Sequence, residues 1–286
     1  NLPSHRPDQQ YRTRASRNRE NQQTGVPASP FVKRELPFFD VLNQEQIEKL
    51  EAQVDWLIQD VGIAFRDDPE SIALWKREGA KVEGDIVRAS ADWIRSLCSM
   101  APSEFVQLAR NPERSVTIGG KNQVFAPVYG APFVRDLEGG RRYGDMNAFR
   151  DLVKLTYMHP NLHHGGFVTC EPCDVPVSKR HLDMLMAHMT LSDKPHLGAI
   201  TEMTRAQDSV DMAEIVFGKE IMDKNCVIMG NVNTNSPLLV DKVVTEAARV
   251  YSSRGQGMVV VPFILSGAMG PVSTAASVAQ AMAEAM

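Results

Sequence analysis

The chain has 286 residues, 43% of them apolar and 23% charged, with a formal net charge of -4 and a pI near 6.0. That balance supports a sizeable core, and the mild acidity excludes a sustained basic face for nucleic acid or a cationic stripe for a membrane surface. Four cysteines are too few for a disulfide scaffold, and neither a signal peptide nor an apolar run of about 18 residues is visible, so a cytoplasmic protein is expected.

Residues 1–30 place Arg6, Arg12, Arg14, Arg17 and Arg19 among Gln, Asn, Ser and Pro with almost nothing apolar, which predicts a disordered arm. From Asn43 a helix is expected: Asn43 and Gln46 make a capping pair, and Ile47, Leu50, Val54, Leu57, Ile58 and Val61 keep helical spacing. A second helix starts near Ser90, and short β-rich runs between Val116 and Leu137, broken at Gly119-Gly120 and Gly139-Gly140, read as hairpins. Asp145 then caps a helix carrying Phe149, Leu152 and Val153, so residues 31–157 form an α+β region.

Past residue 157 the pattern becomes a repeat. Strand-like runs appear at His164–Cys170, His196–Thr201, Val227–Val232 and Met258–Leu265, and counting His164 to His196 to Val227 to Val259 gives steps of 32, 31 and 32 residues, the length of one βα unit. The intervening helices are signalled by Leu182, Leu185, Met186 and Met189, by a Thr204–Gln207 capping box, and by Ser236-Pro237 leading to Val244, Ala247, Ala248 and Tyr251. Four consecutive units imply a parallel sheet. A doubly wound nucleotide fold would want G-x-G-x-x-G after its first strand, whereas Gly255-Gln256-Gly257 precedes a strand and reads as a turn. The expected fold class is therefore α/β, a (β/α)8 TIM barrel whose first four βα units occupy residues 158–286 behind the α+β region. With Asn1 at its start and Met286 inside a helical pattern, the chain is expected to be cut at both ends.

Barrel chemistry sits at the C-terminal ends of strands and in the loops beyond them, which selects Glu171, Thr201, Glu202, Asn231, Asn233, Asn235, Ser266 and Gly267. Glu171 and Glu202 end neighbouring strands and suit acid/base work or a cationic ligand, or each balances a nearby Lys or Arg. The amides of Asn231, Asn233 and Asn235 can orient a polar ligand or make turns, and Ser236 before proline reads as a helix cap. In Ser266-Gly267-Ala268-Met269-Gly270-Pro271 the glycines allow backbone N–H groups to approach an anion at a helix N-terminus, or simply make a tight turn. Cys170-Glu171-Pro172-Cys173 has zinc-like spacing, but a strand from 164 to 170 would hold His163 and His164 roughly 20 Å from it at ~3.3 Å per residue, so no metal is expected. His181 and His188 read as surface or packing residues.

Ser192-Asp193-Lys194-Pro195, the Asn231–Pro237 loop and above all Val261-Pro262-Phe263-Ile264-Leu265-Ser266-Gly267-Ala268-Met269-Gly270-Pro271-Val272 resemble the trimethylamine:corrinoid methyltransferase family, over roughly residues 31–286. The resemblance implies a (β/α)8 barrel that passes a methyl group from a methylated amine to Co(I) of a small corrinoid protein. Some members carry pyrrolysine on a later strand; those without it include a glycine betaine methyltransferase, the type this chain is most similar to. A quaternary ammonium leaves as a neutral amine, so no general acid is required and the protein need only hold the cation in line with cobalt. Aromatic faces and carboxylates suit that task, and Tyr129, Phe133, Phe167 and Phe263 lie near or within the relevant strands, although core packing would use them equally. A betaine carboxylate is expected at the Gly267–Gly270 amides.

The leading expectation is thus an amine:corrinoid-protein methyltransferase whose partners are a small methylamine and a corrinoid (cobalamin) protein, with no nucleic acid or membrane partner and with homo-oligomerisation open. A non-catalytic amine- or corrinoid-binding barrel is the alternative. A lyase or aldolase on the same barrel would want a lysine at a strand end, and none is visible.

Overall fold

The computed structural model describes residues 31–286, and the arm expected over residues 1–30 lies outside them. After β1 (Val32–Lys33) comes α1 (Gln44–Trp56), opened by the expected capping box: Asn43 accepts from the Gln46 amide, and Gln46 accepts from the Asn43 amide. A π-helical turn (Leu57–Val61) and Gly62, at φ +86, lead into β2 (Ile63–Arg66). Then follow α2 (Pro69–Arg77), the hairpin β3 (Lys81–Glu83) and β4 (Ile86–Arg88), and α3 (Ala91–Cys98), which begins beside Ser90.

β5 (Glu104–Gln107), β6 (Val116–Gly119) and β7 (Asn122–Gln123) join β1 in an antiparallel sheet of order β1-β7-β6-β5, and β8 (Phe133–Asp136) pairs with β9 (Gly140–Tyr143), the two hairpins expected around the glycine pairs. α4 (Met146–Met158) is capped by Asp145, which accepts from the Ala148 amide at 2.7 Å.

The repeat then unfolds as α5 (Val177–Leu191), β10 (Leu197–Gly198), α6 (Met203–Phe217), the short α7 (Lys219–Met222), β11 (Met229–Thr234), β12 (Leu239–Asp241), α8 (Lys242–Ser253), β13 (Gly257–Pro262) and α9 (Thr274–Ala285). β10, β11 and β13 form a parallel sheet in sequence order, in register from Leu197 through Met229 to Gly257. The chain is thus a mixed α/β protein with several sheets. β12 leaves the parallel sheet to pair in parallel with β2, giving a second sheet of order β12-β2-β4-β3 that ties the two halves of the chain together.

Three local expectations are corrected. Residues His164–Cys170 are not a regular strand: Gly166 takes φ +66 while its amide donates to His164 Nδ1, and Thr169 bonds back to Phe167 O. The segment still runs beside β10, with Gly165 N donating to Pro195 O and Leu197 N to Gly166 O. α6 begins one residue before Thr204, so Thr204 cannot cap it, and Glu202 at the N-cap makes no side-chain cap bond. Ser236 does not cap α8; Asp241 does, accepting from the Val244 amide. The intervening strand β12 was hidden because Leu239–Asp241 is too short to show a period.

The core lies where α5, α6 and α8 cover one face of the parallel sheet. Tyr251 of α8 is fully buried and donates to Ala199 O at 2.9 Å. It reaches the sheet because Gly198 and Gly230 lack side chains: a Cβ on Gly230 would stand 2.8 Å from the Tyr251 ring, and one on Gly198 would collide with its hydroxyl.

Candidate functional site

At the C-terminal end of β10 and of the irregular segment before it, a cavity of about 190 Å³ opens to solvent. Of the residues marked in the sequence, Tyr129, Phe167, Glu171 and Thr201 line it together, and three further polar residues join them: Arg180 and His181 from α5 and Arg205 from α6. Periodicity hid these three, because nothing in a helical pattern tells a residue facing a cleft from one facing water.

Glu171 pairs with Arg180 at 3.0 Å, and Arg180 Nε and Nη2 donate to Val175 O. Burial, then the Glu171 carboxylate, push the Tyr129 phenol up to about 12, so it stays protonated. Arg205 Nε lies 3.1 Å from Glu202, and its Nη1 donates to Thr201 Oγ1 at 3.0 Å. Glu202 is therefore the partner of a cation and does not itself line the cavity. His181 is 7% exposed, with Nε2 at 2.7 Å from Asp208 Oδ2 and Nδ1 buried without a partner among the described residues.

Asn231 and Asn233 share one face of β11. Their neighbours Gly230 and Val232 face the helices, as the contact of Gly230 with Tyr251 fixes, so alternation turns both carboxamides to the opposite face, in register with Val259 and Val261. Neither carboxamide has a hydrogen-bond partner among the described residues. Asn235 is different: its Nδ2 donates to Asp241 and its Oδ1 accepts from the Asp241 amide, so it shapes the loop.

The glycine-rich loop does not present the amides expected of it. Gly267, at φ +82, donates to Gly270 O and Pro271 O, and the Ala268 and Met269 amides both donate to Leu265 O. Ser266 Oγ bonds Ser277 Oγ, and α9 starts beyond Pro271 with Ser273 as its cap. These bonds close a turn over residues 265–271. Phe133 stacks against Tyr143, with the Arg141 guanidinium 3.7 Å from its centroid, so one ring face already holds a cation. Phe167 packs in the core, and Phe263 is exposed.

At the opposite, N-terminal ends of the parallel strands lies a buried floor of Lys194 and three histidines. Lys194 Nζ donates to Thr156 O, His159 O and Leu162 O. His188 stacks on His196, and His164 Nε2 meets Gln107 Oε1, whose Nε2 donates to His196 O. Burial, then repulsion from His196, push His164 and His188 down to about 3, so both rings are neutral. Among the described residues no group of three or more His, Cys, Asp and Glu side chains could hold a metal ion, and no helix is long and apolar enough to cross a membrane.

A family model described as trimethylamine methyltransferase matches residues 10–286. The chain belongs to the trimethylamine methyltransferase family. It is also similar to a glycine betaine methyltransferase of Desulfitobacterium hafniense (strain Y51), 35% identical over 252 residues, or 88% of this chain and 52% of that protein. The chain thus spans about half the length of the curated relative it matches, and the family likeness covers both the α+β region and the parallel units.

Proposed function

We propose that the full-length protein is a methyltransferase that moves a methyl group from a quaternary or tertiary methylamine to the cobalt of a corrinoid held by a partner protein. The observation that carries this reading is membership of the trimethylamine methyltransferase family together with a partly apolar cavity, flanked by a carboxylate and a protonated phenol, at the strand ends. On this reading β10, β11 and β13 belong to a (β/α)8 barrel formed by residues 158–286 and chain beyond them, and residues 31–157 pack on it as an α+β region.

For a quaternary substrate the chemistry asks little of the protein. The nitrogen–methyl bond breaks, its electron pair remains on nitrogen as a neutral tertiary amine, and the electron pair of Co(I), presented as a co-substrate by the partner, forms the new bond to carbon. No proton moves, so binding and alignment are the protein's task. Tyr129 and Phe167 offer aromatic surface to the methyl groups, and Glu171 offers negative charge, although Arg180 competes for it. Asn231 and Asn233, unpartnered on the sheet face away from the helices, are the side chains we assign to orienting the amine or the incoming corrinoid.

The test is spectroscopic. Full-length protein, given cob(I)alamin or a corrinoid protein and a panel of glycine betaine, other betaines and trimethylamine, is expected to form methylcobalamin with at least one of them. Tight binding of an amine with no methylcobalamin from any would overturn the catalytic reading and favour a binding protein.

A further inference from the structure

We infer that His181 and Arg205 set the specificity of this site by binding an anionic group on the substrate, a carboxylate. The inference rests on the cavity being the methylamine site and adds which part of the substrate these residues recognise.

The argument is one of unmet hydrogen bonds. All three guanidinium nitrogens of Arg180 are engaged, by Val175 O and Glu171. Arg205 differs: Nε meets Glu202 and Nη1 meets Thr201, but Nη2 has no partner among the described residues, while the side chain is only 21% exposed. His181 lines the same cavity, nine-tenths buried, with Nδ1 orphaned. The buried, unpaired His181 Nδ1 carries a desolvation cost of about 1–3 kcal/mol, Arg205 Nη2 adds a charged donor to the same cavity, and a site built this way favours a ligand that satisfies both. A ligand carboxylate completes both, accepting from Arg205 Nη2 and from Nδ1–H of a His181 imidazolium, the form in which both ring nitrogens donate and Asp208 accepts from Nε2–H. Trimethylamine, with no anionic group, leaves both unmet. The cavity volume of about 190 Å³ equals that of roughly six waters at ~30 Å³ each, space for a small zwitterion whose methylated nitrogen rests toward Tyr129 and Glu171.

Calorimetry on the full-length protein with three ligands tests this: glycine betaine; choline, which keeps the ammonium and replaces the carboxylate by a hydroxyl; and 3,3-dimethylbutanoate, which keeps the carboxylate and replaces nitrogen by carbon. Betaine is expected to bind about tenfold or more tighter than choline, and the butanoate to compete with betaine. Arg205→Met and His181→Phe are each expected to weaken betaine and the butanoate by about tenfold to a hundredfold while leaving choline within about twofold. Should either variant fold poorly, Arg205→Lys, which keeps the charge and loses the fork, is expected to show the same selective pattern at smaller size. Choline binding as tightly as betaine, or variants that weaken choline and betaine alike, overturns the inference. Methylcobalamin formation measured alongside separates the two readings. Betaine demethylated at full rate by both variants, with no butanoate binding, sinks the carboxylate site and spares the methyltransferase. Butanoate binding through His181 and Arg205 with no methyl transfer from any amine does the reverse.

Discussion

Removing the Asp68 carboxylate should cut one of the ties between the N-terminal region and the parallel units. Asp68 caps α2 by accepting from the Ser71 amide, and it reaches across to α8, where Thr245 Oγ1 and both terminal nitrogens of Arg249 donate to it. The carboxylate side chain is 1% exposed and Arg249 is 30% exposed, so the pair is buried on one side only. Breaking a fully buried pair by deleting one partner costs about 3–5 kcal/mol, and the half-open arginine puts Asp68→Ala near 3 kcal/mol including the lost cap. Asp68→Asn, which keeps a capping oxygen, should cost about half as much.

The pH dependence gives a second handle on the same residue. Burial raises the Asp68 pKa, but the bonds from Arg249, Ser71 and Thr245 outweigh it and hold the group well below the usual carboxylate range. A lowered folded-state pKa means stability that is fully present above the unfolded value of about 3.9 and is lost as pH falls through the folded one. Urea titrations of wild type and Asp68→Asn should therefore converge as pH falls below about 4. A cost under about 1 kcal/mol at neutral pH, or a gap that stays constant down to about pH 2, would refute the coupling.

Other outcomes follow from the same geometry. Gly198→Ala should destabilise by about 1–3 kcal/mol through collision with Tyr251 and with Ser209 Cβ, 2.8 Å from the added carbon; adding Tyr251→Phe should cost less in that background than alone, as read by a double-mutant cycle of urea midpoints. His164 and His188 stay neutral when folded but titrate near 6.5 when unfolded, so stability should fall with pH below about 6.5, by on the order of 2 kcal/mol per ring at pH 5; a His188→Leu variant should show a shallower profile in thermal melts. Glu284 accepts from Thr234, Ser236, Gln280 and the Leu238 amide, and Glu284→Ala should cost about 2 kcal/mol and raise hydrogen exchange in the loop after β11. Asn233→Ala should lower methyl transfer about tenfold or more with an unchanged melting temperature, since its carboxamide has no partner among the described residues.

Periodicity served well where an element is long and one-sided. The Asn43–Gln46 box, the Asp145 cap and the parallel order of the three strands expected near His196, Val227 and Val259 all survive in the fold. It failed where tertiary bonds replace regular ones. Residues 164–170 look like a strand by composition, yet Gly165-Gly166 lets the backbone turn onto His164 Nδ1 and takes its amides out of the ladder. The site was half legible for a similar reason: Glu171, Thr201 and Tyr129 sit at strand ends or in the preceding loop, where position alone marks them. His181, Asp208 and Arg205 lie inside helices, and their convergence depends on how α5 and α6 cross the sheet. Gln256, read only as part of a turn, accepts from the Val227 and Ile228 amides and donates to Met222 O, Asn225 O and Arg254 O, a role that no local pattern announces.

The fit of Tyr251 against two bare glycines has a consequence for how this part of the molecule opens. The ring is wedged against adjacent strands, and its hydroxyl holds the carbonyl just past β10, so neither strand can be freed while α8 stays docked. β10, β11 and α8 therefore behave as a single cooperative foldon whose amides become accessible together.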